Sequence, residues 1–156
     1  MNQGRRSALK GAGGVAAMGF AMAAGLLKPG SAGAQTWNKA AFETKSLVDT
    51  IKAMGGASAA ESKDIAITSP DIAENGAVVP FSISSKIPKT ESISLLVEKN
   101  PNALAASFSI PEGTEAGVTT RVKMGQTSNV IALVKADGKF YYTAKEVKVT
   151  LGGCGG

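Results

Sequence analysis

The sequence predicts a mainly β fold, an antiparallel sandwich preceded by one amphipathic helix and followed by a short glycine-flanked arm. Three observations carry this prediction. From Ile65 onward apolar residues recur at strand spacing, in short runs rich in Val, Ile, Thr and Ser. Turn residues separate the runs at close intervals and leave no room for alternating helices, which points to an immunoglobulin-like sandwich. The last five residues, Gly152-Gly153-Cys154-Gly155-Gly156, offer no side chain larger than a thiol to a core. Glycine also loses more backbone freedom than any other residue when it is fixed, so this tail reads as a flexible arm.

Residues 1–34 read as a cleavable export signal. Arg5, Arg6 and Lys10 form a basic start, residues 12–27 are apolar and small, and Ala32-Gly33-Ala34 fits the Ala-x-Ala preference of signal peptidase. Cleavage between Ala34 and Gln35 is therefore expected. The apolar stretch is roughly sixteen residues long and contains four glycines, too short and too weakly apolar for a stable membrane anchor. The segment Gly4-Arg5-Arg6-Ser7-Ala8-Leu9-Lys10 is similar to the twin-arginine motif, with Ala8 where an aromatic is usual. Periplasmic delivery of an already folded protein is the expectation.

The leader also disposes of a misleading charge. The whole chain holds 17 basic and 12 acidic residues, a net +5. Four of the basic groups and none of the acids lie in the leader, leaving 13 against 12. A near-neutral mature chain gives no reason to expect nucleic acid as a partner.

The mature chain is expected to divide into a helical segment at 35–56, a sandwich domain at 57–151 and an arm at 152–156. Asn38 can cap a helix, with Trp37 and Phe42 placed as a hydrophobic staple. Leu47, Val48, Ile51 and Met54 follow at helical spacing, and Gly55-Gly56 ends the pattern. One helix of about four turns over 37–54 is predicted. Strands are predicted at 64–69, 77–84, 92–98, 103–110, 117–124, 129–135, 140–143 and 146–151. Asp137-Gly138 is the clearest tight hairpin. Val79, Phe81 and Ile83, and again Phe108 and Ile110, alternate so as to face inward.

Candidate chemistry is sparse. Without histidine there is no Ser–His–Asp or Cys–His site, and one cysteine with no histidine makes an internal zinc, haem or iron–sulfur centre improbable. The carboxylate pairs Glu112/Glu115 and Asp71/Glu74 flank turns and read as solvated loop charges. Ser82, Ser84 and Ser85 need no catalytic explanation.

Cys154 remains. Four glycines disfavour its burial, and an exposed thiol in an oxidising compartment is a liability unless it has a use. It stands third from the end, where neither a lipoprotein cysteine nor a prenylation box would place it. From Leu151 the arm can reach roughly 10 Å. An unperturbed thiol has a pKa of about 8.5, and no basic residue adjoins Cys154, so activation falls to whatever molecule receives it. A covalent carrier and a structural subunit joined to a partner by a Cys154 disulfide both fit these facts.

The tail, the twin-arginine-like leader and the segment Pro70-Asp71-Ile72-Ala73-Glu74-Asn75-Gly76 with Val78-Val79-Pro80 together resemble the SoxY family of bacterial thiosulfate-oxidising systems. The resemblance spans essentially the whole chain. It implies a non-catalytic sulfur carrier without a resident cofactor or metal, whose cargo is bound covalently to Cys154. Gly152, Gly153, Gly155 and Gly156 match the swinging arm. The partners implied are a leaderless β-sandwich subunit, SoxZ, with which the chain would travel folded, the cytochrome SoxXA, the hydrolase SoxB and, in some systems, SoxCD.

Overall fold

The computed structural model describes residues 38–150. Two short helices, α1 (Lys39–Phe42) and α2 (Leu47–Ala53), precede nine strands. These are β1 (Ala59–Glu61), β2 (Ile65–Thr68), β3 (Ile72–Ala73), β4 (Val79–Ser85), β5 (Thr90–Val97), β6 (Leu104–Ser109), β7 (Gly117–Val122), β8 (Ser128–Ala136) and β9 (Lys139–Val149). The larger sheet runs β1-β9-β8-β5-β6, with β3 added to the edge of β9, and the smaller runs β2-β4-β7. Antiparallel pairing dominates, although β1 and β3 both join β9 in parallel. The antiparallel sandwich expected from the sequence is thus the fold observed.

The two sheets differ in how many faces they bury, and the residue patterns show why. In β4, Val79, Phe81 and Ile83 are buried, whereas Pro80, Ser82 and Ser84 face solvent. Pro80 is tolerated in this middle strand because β2 pairs only with residues 82–85, so the ladder on that side has already ended. In β8, by contrast, Val130, Ala132 and Val134 enter the core between the sheets, and Ile131 and Leu133 enter a second core beneath the helices. A strand buried on both faces needs a continuous apolar run, not alternation. Each large side chain so buried stabilises the fold by roughly 1.5–3 kcal/mol.

The single helix expected over 37–54 is broken in two. Ser46 adopts an extended conformation and its hydroxyl accepts from the Asp49 N–H at 3.1 Å, capping a new helix where the periodicity alone suggested continuation. The same hydroxyl donates to the Asp49 carboxylate at 2.7 Å. Asn38 caps α1 as expected, accepting from the Ala41 N–H, and its amide donates to the Ala53 carbonyl at 2.9 Å, so the start of α1 lies against the end of α2. Trp37, the other half of the expected staple, lies outside the described residues. Val48, placed on the apolar stripe by spacing, is 56% exposed.

Among the strands, the two predicted at 140–143 and 146–151 are one continuous strand, β9, while β1 and β3 went unanticipated. The Asp137-Gly138 hairpin is as expected, both residues having positive φ (48° and 73°), the geometry of a tight type I′ turn. Phe108 stands opposite Ile93 and shares its inward face, yet it is only half-buried because β6 is an edge strand.

Candidate functional site

Cys154 and the glycines Gly152, Gly153, Gly155 and Gly156 lie outside the described residues, as do Arg5, Arg6, Ala34 and Gln35. The structure places the root of the tail. It is the end of β9, held by the segment 70–79 and by Thr127.

The segment 70–79 wraps this end. The Lys148 N–H donates to the Asp71 carbonyl at 2.9 Å and the Thr150 N–H to the Ala73 carbonyl at 3.1 Å, with Ile72 and Ala73 in register with Lys148 and Val149. Farther along, the Met124 N–H donates to the Gly76 carbonyl at 2.7 Å. Gly76 is pressed so closely that a Cβ there would run into the Met124 carbonyl oxygen and come within 2.8 Å of Val149 Cγ1. From the other side the Val149 N–H donates to Thr127 Oγ1 at 3.0 Å. The amides of Lys148, Val149 and Thr150 are therefore all bonded.

Side chains reinforce the same junction. Lys145 donates to the Ser69 carbonyl at 2.8 Å and pairs with the Asp71 carboxylate at 2.9 Å. Ala73 and Val147 are buried in the core between the sheets, and Val149 packs against it. Asn75 closes the turn by accepting from the Ala77 N–H at 2.9 Å. The outcome is a rigid socket that ends in an exposed Thr150.

The carboxylate pairs weighed in the sequence stand apart from any catalytic arrangement. Glu112 and Glu115 are exposed in the loop between β6 and β7, and Asp71 is spent on Lys145 while Glu74 is exposed. Ser82 bonds Thr119 across the solvent face and Ser85 bonds Thr90. Among the described residues no group of three or more His, Cys, Asp or Glu side chains could hold a metal ion.

Sequence reasoning missed the anchoring role of 70–79, where it saw a turn signal at Glu74-Asn75-Gly76 and the start of the strand predicted at 77–84. Two apolar residues in a turn-rich stretch, Ile72 and Ala73, were the available signal. The pairing partner lies some 76 positions away along the chain, and no local pattern supplies that.

A family profile described as "Sulfur oxidation protein SoxY" matches residues 51–154, a stretch that ends on Cys154. The chain belongs to the SoxY family. The sulfur carrier protein SoxY from Chlorobium limicola f. thiosulfatophilum is similar at 37% identity and a TM-score of 0.59, covering 67% of this chain and 96% of that one. Superoxide reductase (neelaredoxin) from Ignicoccus hospitalis is similar at 18% identity and a TM-score of 0.48, covering 55% of this chain and 80% of that one. That second likeness carries nothing about chemistry. No curated protein matches the sequence. Membership in the SoxY family makes this chain a sulfur carrier of the sulfur-oxidation system.

Proposed function

We propose that this chain carries the intermediates of thiosulfate oxidation on the Cys154 thiol, in the periplasm, after twin-arginine export as a folded complex. The observation that carries the reading is the position of the only cysteine: it ends the family match and stands four residues beyond Thr150, whose N–H is bonded to the Ala73 carbonyl. A rooted strand followed by glycines separates the two demands on a carrier, a stable body and a thiol that enters other proteins' clefts.

The loading step joins the Cys154 thiolate to the sulfane sulfur of thiosulfate. One S–S bond forms, giving a cysteine S-thiosulfonate, and two electrons pass to the cytochrome SoxXA. Hydrolysis by SoxB then cleaves the bond between the sulfane and the sulfonate sulfur. Water supplies the fourth oxygen of sulfate, two protons are released, and a persulfide stays on Cys154. SoxCD, where present, takes six electrons from that sulfane while three waters supply its oxygens and six protons leave, and a second hydrolysis of the resulting sulfonate releases sulfate and frees the thiol. The carrier contributes position; the visiting enzymes supply oxidant and base.

The proposed complex pairs this chain with a leaderless SoxZ-like sandwich subunit and needs no resident cofactor or metal. Near-neutral charge and a folded-export signal without a matching internal cofactor support a partner bound before export.

Cys154→Ser decides between a carrier and a structural link. In the reconstituted system it abolishes thiosulfate-dependent electron transfer and leaves the thermal midpoint within about 1 °C, since a glycine-flanked arm of the kind proposed adds little to stability. Intact mass of the wild-type complex from thiosulfate-grown cells shows sulfur adducts on Cys154. One unvarying inter-chain disulfide in that spectrum would instead make Cys154 a structural link and end the carrier reading. Replacing both Arg5 and Arg6 with lysine retains the complex in the cytoplasm; unaltered export would refute the twin-arginine route.

A further inference from the structure

An enzyme that draws the Cys154 sulfur into its cleft must bring the rim of that cleft down on the carrier. From Thr150 to Cys154 the chain spans at most roughly 14 Å. The surface met first is therefore the one around Thr150, built by residues 70–79 and the end of β9.

That surface holds exposed apolar groups where the rest of the described surface holds few. Among the described residues three large apolar side chains are more than half exposed: Val48 on α2, and Ile72 and Val78 on the 70–79 segment. Single exposed apolar residues are common on any protein, so their number means little. Their placement matters more. Ala73 and Val79, the next residue in each case, take the buried positions at 6% and 0% exposure, and this turns Ile72 and Val78 outward. The backbone beneath them is tied to β9 and to Met124 through Asp71, Ala73 and Gly76, so both are presented by a rigid support. Asp71, Glu74 and Lys148, neighbours of Ile72 in the chain or in the register of β3 with β9, are exposed and carry charge of both signs. Exposed apolar groups beside mixed charge suit a protein-binding surface, and pre-ordering lowers the cost of using it.

We infer that Ile72 and Val78 are a common footing for the cleft rims of the enzymes that process the sulfur on Cys154. The inference rests on the carrier reading above and adds the place where the carrier body is gripped. Such contacts form equally in the bound ground state and in the transition state, so they act on KM and leave kcat alone. Specificity for the carrier then comes from its body, and the chemistry from its tail.

The test uses the complex of this chain with its partner subunit, loaded as the S-thiosulfonate, and the purified SoxB-type hydrolase. A synthetic peptide of residues 149–156 bearing the same adduct is the second substrate. The wild-type complex should show a KM at least about tenfold below that of the peptide, the usual scale for losing a few anchoring contacts. The double variant Ile72→Asp/Val78→Asp should raise the KM of the complex to that of the peptide at unchanged kcat. Val48→Asp should change neither. Ile72→Ser/Val78→Ser, compared by thermal midpoint and by subunit assembly, guards against a folding defect and should raise KM in the same direction. Unchanged KM in both double variants, with Cys154 loaded, would overturn the footing and leave the carrier reading standing. Loss of the subunit complex in both would also overturn it, assigning Ile72 and Val78 to the subunit interface. Failure to find any adduct on Cys154 would overturn the carrier reading itself.

Discussion

The two ends of β9 are closed by the same device and end up in different surroundings. Near its start, Gly56 lies against Phe140, where a Cβ would come within 2.6 Å of the ring and 2.7 Å of Ile51. Near its end, Gly76 lies against Val149 in the same way. Gly56 completes the C-cap of α2, its N–H donating to the Ile51 carbonyl while Gly55, at φ 86°, turns the chain. That glycine lets a helix pair cover the strand and bury it. Gly76 lets a nearly bare loop clasp the strand, and the surface beyond it stays exposed. One end of the strand is covered by the helix pair, the other is clasped by a loop and left partly exposed. A close glycine contact is thus a means of bringing two backbones together, and what the approaching segment carries decides the result.

The largest expected effect breaks the first end. Phe140→Ala removes a ring that is 5% exposed from the core under the helices and should lower stability by about 3–5 kcal/mol, measured by denaturant unfolding. Hydrogen exchange should then rise in α1 and α2 before it rises at Thr150. Uniform loosening along β9 would mean that its two ends are not independent.

Gly76→Val attacks the other end. The added side chain collides with the Met124 carbonyl and with Val149, so 70–79 must lift away, at a cost of about 1–3 kcal/mol. The amide of Thr150, bonded to the Ala73 carbonyl, should lose exchange protection while that of Phe140 keeps its own. Should protection at Thr150 persist, the root is held by Thr127 and the core without help from the loop.

The smallest effect concerns a charge at the hairpin that leads into β9. Glu91 pairs with Lys135 at 2.9 Å and accepts from the Gly138 N–H at 2.9 Å. The hydrogen bond from Lys135, then that from Gly138, holds its carboxyl below the ordinary value of 4.5, against a smaller opposing effect of desolvation. A carboxyl whose folded value is depressed contributes stability above its unfolded value and loses it as pH falls through the folded one. The thermal midpoint of wild type should therefore exceed that of Glu91→Gln slightly at neutral pH, with the gap closing as pH drops below about 4.5. A gap that widens on acidification would reverse the sign.

Much of this was legible in the residues, and the pattern of success has a cause. The alternation of Val79, Phe81 and Ile83, the turn chemistry of Asp137-Gly138 and the cap at Asn38 are local: each concerns a few neighbouring residues whose sterics and hydrogen bonds decide the outcome. The break at Ser46 was missed because Leu47, Val48 and Ile51 keep helical spacing immediately after it, and a cap just ahead of a periodic run looks like an ordinary polar position. β1 and β3 were missed because three and two residues are too few to show a period.

By itself the sequence determined the strand-rich class, the hairpin register at Asp137-Gly138 and the isolation of the only thiol between glycines, since all of these follow from short-range geometry and composition. Only the tertiary structure decided that β8 is buried on both faces, that 70–79 clasps the end of β9, and that Ile72 and Val78 face outward. Those outcomes depend on pairings between residues far apart in the chain. There the free energy comes from matching two surfaces, and neither stretch carries that information alone.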